Sequence, residues 1–214
     1  GTQATEKSGT NIPAAKINVF KPELTFKDST AYYGEAVPEN NNYSSNCVGT
    51  EKWKHDGTEA VPSKMLGEEP TLDITYTPDE STVENGKYTK QDVPVKATVK
   101  IGTDDVTSYT TFLHETCTVD GCKWNNKITS GNPAFLIHIK TCQLNITKAG
   151  GVSNEPYVFN IRKDGEKYSE VTIVGNGTAT LYELPVGTYT IQEDTGWSWR
   201  FTPTYSGNNE VKLS

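Results

Sequence analysis

No stretch of this chain longer than about ten residues places apolar side chains at helical spacing. Short alternating segments recur instead. Thr71-Leu72-Asp73-Ile74-Thr75-Tyr76 alternates, and so do Val93 to Ile101, Val106 to Leu113, and Ala134 to Ile139. The last third continues the pattern in Leu144–Lys148, Tyr157–Arg162, Ser169–Val174, Thr178–Leu184, Thr188–Glu193, Trp199–Tyr205 and Glu210–Leu213. A period of two sends successive side chains to opposite faces of a strand, so one face can be buried while the other stays wet. Asn85-Gly86, Asp120-Gly121, Ser130-Gly131-Asn132-Pro133 and Asp164-Gly165 supply turns between the segments. Hydrophobic residues make up 34% of the chain, which suits thin sandwiches better than a thick α/β core. The expected fold class is all-β, in two antiparallel sandwich domains with very little helix.

Residues 1–15 are small and polar and read as a flexible arm or linker. Strand pattern begins at Lys16. Ile17, Val19, Leu24 and Phe26 alternate around Pro22, which predicts an edge strand or a break there. Residues 38–69 read mostly as loop, with Trp53 as an anchor. Residues 16–141 are expected to form a β-rich N-terminal domain, and residues 142–214 a second sandwich of short, regularly spaced strands.

The 20 basic and 27 acidic residues leave a net charge of −7, without a basic run. Nucleic acid is not an expected partner, because phosphate neutralisation needs clustered Lys and Arg. No run of roughly 18 apolar residues is present, so no membrane contact is expected of this segment. The four cysteines are Cys47, Cys117, Cys122 and Cys142. An even count in a Thr-rich, acidic β protein favours two disulfides and an oxidising compartment. Of three possible pairings, Cys117–Cys122 with Cys47–Cys142 is preferred. The second closes a long loop, stabilising by about 4–5 kcal/mol in the chain-entropy model. His114, Cys117, Cys122, His138 and Cys142 have the residue types of a zinc set, but strand alternation puts His114 and Cys117 on opposite faces. No metal and no cofactor is expected.

Leu144-Asn145-Ile146-Thr147-Lys148, Tyr157-Val158-Phe159-Asn160-Ile161, Ala179-Thr180-Leu181 and above all Leu184-Pro185-Val186-Gly187-Thr188-Tyr189-Thr190-Ile191-Gln192-Glu193 carry a family likeness. Residues 142–201 resemble a Cna-B-type, prealbumin-like (SpaA-like) domain of Gram-positive surface proteins and pilins. The resemblance implies Ig-like or prealbumin-like sandwiches on a secreted protein, anchored to the cell wall in its full-length precursor. It also implies an intramolecular isopeptide bond between a first-strand Lys and an Asn on the final strand, assisted by a Glu. Lys148 and Glu193 match the Lys and Glu of that set. The family's Asn lies farther beyond the Glu than Asn208 or Asn209, so no Asn partner is assigned and the last strand is expected to be missing.

The residue types suit the chemistry. An amine attacks only when neutral, and apolar burial disfavours the ammonium. A buried carboxylic acid stays protonated more readily and can polarise an amide carbonyl and shuttle protons. Fixed proximity supplies effective molarity. The event occurs once per molecule, so no turnover is implied. Trp197 and Trp199 flank Ser198 on one face of an expected strand and form a possible ligand platform. No nucleophile elbow, phosphate loop or zinc-protease motif occurs. The function expected is that of a non-enzymatic structural or adhesive module: a stalk, pilus subunit or adhesin. Its partners would be other domains or subunits of a surface protein. The alternative is an extracellular module that binds a carbohydrate or a host protein.

Overall fold

The computed structural model describes residues 20–39, 43, 48–55, 58–60, 70–115, 127–129, 131–196, 202–207 and 209–214. The alternation seen in the sequence becomes strands. In the first unit these are β1 (Phe20–Phe26), β2 (Ser29–Tyr32), β3 (Val48–His55), β4 (Thr58–Ala60), β5 (Leu72–Pro78), β6 (Val83–Glu84), β7 (Lys87–Tyr88), β8 (Val93–Ile101), β9 (Asp104–Asp105), β10 (Thr111–His114), β11 (Lys127–Thr129) and β12 (Phe135–Lys140). The second unit holds β13 (Cys142–Lys148), β14 (Pro156–Lys163), β15 (Glu166–Val174), β16 (Gly177–Leu184), β17 (Gly187–Glu193) and β18 (Glu210–Leu213). Helix is confined, among the described residues, to short 3-10 turns such as Glu80–Thr82 and Thr107–Tyr109. The all-β class expected from the sequence is what the chain adopts.

Two larger sheets build the first unit, beside a small β6-β7 pair. One runs β11-β10-β1-β3-β4 and the other β2-β12-β8-β5, with β9 beside β8. β8 shows the binary pattern plainly: Val93, Val95, Ala97 and Val99 are buried while the residues between them are not. With Leu24, Phe26, Phe112, Phe135 and Ile137 they form one core. Phe26 and Phe112 meet edge to face at 5.2 Å, and Tyr43 and Phe135 at 5.4 Å. Each such side chain stabilises by about 1.5–3 kcal/mol when fully buried.

Four expectations need correction here. β1 pairs with β10, and β2 with β12, in parallel, so the unit is not antiparallel throughout. The chain leaves one sheet after Phe26 and joins the other at Ser29, which makes Asp28 the crossing point. Pro22 is not on an edge strand, yet it lies in the half of β1 that β10 does not reach, where a missing N–H matters least. Residues 38–69 contain β3 and β4, because β3 lies against β1 and buries Trp53. The segment Val106 to Leu113 is not one strand. Asp105 Oδ1 accepts the Thr107 N–H at 2.9 Å, the Thr107 hydroxyl oxygen accepts the Val99 N–H at 2.8 Å, and the Thr110 hydroxyl donates to the Val106 carbonyl at 2.9 Å. These side-chain bonds replace ladder bonds and impose a turn.

The second unit stacks a two-stranded sheet, β13-β16, on a four-stranded one, β15-β14-β17-β18. Its core holds Leu144, Ile146, Tyr157, Phe159, Ile161, Ile173, Leu184, Tyr189 and Ile191. The two cores share no residue, and they divide between Ile139 and Cys142. The Asp164-Gly165 turn joins β14 to β15 with both residues at positive φ, 50° and 89°. That conformation matches the strand twist of a two-residue hairpin. The expected strand Trp199–Tyr205 is absent over 202–205, where Pro203 offers no N–H to a ladder.

The units touch through the Leu184-Pro185-Val186-Gly187 loop. The Val186 N–H donates to the Tyr33 carbonyl at 2.8 Å, and Lys90 Nζ donates to Glu183 Oε2 at 2.7 Å. Gly34, at φ +82°, lies so close to Pro185 that a Cβ there would sit 2.7 Å from the proline Cβ. Glu183 itself is a non-glycine residue at φ +54°. No helix among the described residues is long and apolar enough to cross a membrane.

Candidate functional site: a lysine–glutamate pair between two sheets

Lys148 is the last residue of β13 and Glu193 the last of β17, so the two side chains come from different sheets and meet across the core. Alternation determines this. Leu144 and Ile146 face inward on β13, and Lys148 continues the same face; Tyr189 and Ile191 do so on β17, followed by Glu193. Lys148 Nζ donates to both oxygens of Glu193, at 3.1 and 3.3 Å. The side chains are 15% and 10% exposed, so the pair sits largely out of water. Opposite Lys148 on β16 stands Gly177, which has no side chain to crowd the amine.

Tyr157 completes the pair's surroundings. Lys148 Nζ lies 4.4 Å from the centre of its ring, in cation–π range. The tyrosine hydroxyl accepts the Val152 N–H at 2.7 Å, which fixes the ring. On the other side the backbone N–H of Glu193 donates to the Tyr205 hydroxyl at 2.9 Å. Sequence reasoning assigned neither tyrosine to this site. The parity of Tyr157, Phe159 and Ile161 on β14 places Tyr157 on the core face and could have found it. Tyr205 reaches the site from an irregular segment that carries no periodic signal.

The pair opens onto a cleft of ≈ 620 Å³. Leu144, Ile146, Phe159, Ile191 and Val211 supply apolar lining, and Thr147, Thr204, Ser206 and Asn209 supply polar groups. Among the described residues β13 pairs with β16 alone. β18 does not lie beside β13. It joins β17, and the Asn209 carbonyl just before it accepts the Ile191 N–H at 2.8 Å. Asn209 thus lines the cleft with its backbone committed to the β17 side, while Lys148 is engaged by Glu193. Asn208 lies outside the described residues.

The remaining sequence candidates separate from this site. Trp197, Trp199, Cys47, Cys117 and Cys122 lie outside the described residues. Among the described residues Cys142 has no disulfide partner, and Cys47, the residue expected to pair with it, lies outside them. Cys142 starts β13, half-buried against the second core, and burial raises its pKa above that of an ordinary thiol. His114 is fully buried in the first unit, on β10. His138, on β12, has both ring nitrogens against carboxylates, Asp92 at 2.8 Å and Asp28 at 3.0 Å. Among the described residues no three His, Cys, Asp or Glu side chains are grouped to hold a metal ion.

The arrangement can do two things chemically. It can remain an ion pair that ties two sheets together. It can also pass a proton from amine to carboxylate, leaving a nucleophile and an acid side by side. Compared with protein-family models, curated proteins and solved structures, the chain matches none significantly.

Proposed function

We propose that this chain is a non-enzymatic structural or adhesive section of a Gram-positive cell-surface protein, in which residues 142–214 act as a load-bearing sandwich. One observation carries the reading: a largely buried lysine and glutamate, in bidentate contact over a tyrosine ring, face a cleft of mixed apolar and polar lining, beside an edge of β13 that pairs with no strand among the described residues. A substrate-processing site would need access and exchange. A crosslink needs only one encounter, in a place that then stays closed.

The chemistry of that encounter follows from the residues. Proton transfer to Glu193 leaves Lys148 as a neutral amine. The amine attacks the side-chain carboxamide carbon of an Asn presented by a strand laid along β13. A C–N amide bond forms, the carboxamide C–N bond breaks, and ammonia leaves with the protons that Glu193 relays. The product ties two strands by a bond that resists reduction.

Intact-mass measurement of the full-length protein taken from its native surface tests this reading. The expected result is the loss of one ammonia in the wild type, and its retention when Glu193 is changed to Ala. Antibodies against residues 142–214 should label intact cells and the cell-wall fraction. Unreacted Lys148 in the native protein would remove the covalent reading, and a protein found only inside the cell would remove the surface reading.

A further inference from the structure

Outside the Lys148 site, His138 holds a carboxylate at each ring nitrogen. A neutral imidazole donates from one nitrogen and presents a lone pair at the other, whereas ionised carboxylates only accept. With Asp92 Oδ2 at 2.8 Å from Nδ1 and Asp28 Oδ2 at 3.0 Å from Nε2, a neutral ring would satisfy one partner and repel the other. The imidazolium satisfies both. Each carboxylate is also stitched to the backbone of β12: Asp28 Oδ1 accepts the Leu136 N–H at 2.8 Å, and Asp92 Oδ1 accepts the Ile139 N–H at 3.0 Å.

The charges around the ring are few. Asp28 comes from the β1–β2 crossing and Asp92 from the segment before β8. β2 lays Ser29, Thr30, Ala31 and Tyr32 along β12, and β8 lays Val93, Pro94 and Val95. Of the lysines near in sequence, Lys27 is committed to Glu115 and Lys90 to Glu183, and Lys140 lies opposite Tyr32 at the end of β12. The two carboxylates therefore dominate.

What they anchor gives the triad a consequence. Asp28 leads through β2 directly to Tyr33 and Gly34. Tyr33 donates its N–H to the Lys140 carbonyl at 2.9 Å and accepts the Val186 N–H with its own carbonyl. Asp92 stands two residues after Lys90, whose amine holds Glu183 of the second unit. Both chain segments that grip the Leu184-Pro185-Val186-Gly187 loop are thus fastened to β12 at the same imidazole. We propose that Asp28, His138 and Asp92 form a proton-operated clasp that fixes the joint between the two units, closed by the imidazolium and loosened when the ring loses its proton. Asp92 is the arm that lets go, since its side chain is 52% exposed while that of Asp28 is fully buried.

The sign follows from linkage. Burial alone would push the imidazole pKa down, but hydrogen bonds to Asp92 and Asp28, with their charges, outweigh it and hold the ring above its ordinary value. A raised folded-state value means that the clasp's stabilisation is complete below the unfolded value of about 6.5 and is lost as pH rises through the folded one. The clasp is independent of the function proposed for Lys148 and Glu193.

Nuclear magnetic resonance on the whole chain tests it. The His138 ring is titrated, and residual dipolar couplings report the relative alignment of the two units on either side of its midpoint. Expected are a midpoint above that of an ordinary histidine, one shared alignment below it, and two diverging alignments above it. Asp92→Asn, on the exposed arm, should lower the midpoint and carry the divergence down in pH with it. His138→Gln should show divergence at every pH. A His138 that titrates at or below the ordinary value overturns the clasp. A shared alignment on both sides of the midpoint overturns its control of the joint.

Discussion

At the scale of the residue, Lys148 and Glu193 show how alternation can carry an ionisable group into a core. Each ends a strand whose preceding inward positions are apolar, and each finds the other where water is scarce. Removing one partner leaves a largely buried charge, which costs far more than losing a surface pair. Glu193→Gln should therefore lower the stability of the second unit by about 2 kcal/mol in denaturant titration. The double change Lys148→Met with Glu193→Leu should recover most of that loss, because neither charge remains to be desolvated. Additive losses in that cycle would mean that the two side chains do not interact in solution. The sequence disclosed this pair through parity. Parity along β14 puts Tyr157 on the core face, but its place beneath the amine depends on how the two sheets stack.

At the scale of the element, the segment after β13 and the segment before β16 approach closely at a glycine. A Cβ on Gly151 would meet the Gly175 carbonyl oxygen at 2.2 Å, and that atom cannot swing aside as a side-chain tip could. Gly150 has open space around its Cβ position, though its φ of +70° disfavours side chains. Gly151→Ala should therefore destabilise by about 3 kcal/mol through overpacking. Gly150→Ala should cost about 1 kcal/mol through backbone strain alone. Thermal melts of the two variants compare them directly, and equal losses would refute the close approach. The turns show the opposite balance. Asn85-Gly86 and Asp164-Gly165 were legible because their positive φ is a local demand that few residues meet. The 3-10 turn at Thr107–Tyr109 was not, because Val99, on β8 beyond the intervening β9, completes it.

At the scale of the whole molecule, two cores that share no residue meet, among the described residues, through one loop, one backbone hydrogen bond and one exposed ion pair. Such a junction is small beside either core, so the units should unfold separately. Calorimetry is expected to resolve two transitions, and Glu193→Gln should lower only one of them. A single transition that shifts as a whole would mean that the joint couples the units fully.

The sequence by itself determined the class of structure and most strand positions in residues 142–214, because period-two burial and turn chemistry are properties of neighbouring residues. It also determined that Lys148 and Glu193 face inward. Tertiary structure alone decided the parallel pairings of β1 and β2, the placing of β3 and β4 within a polar stretch, and the seating of β18 on β17 instead of β13. It likewise brought Asp28, Asp92 and His138 together from three distant segments and set Cys142 against the second core. The physical reason is common to all of these. Which strand lies beside which is settled by the closing of loops and the filling of a shared core, and neither leaves a mark on the local pattern.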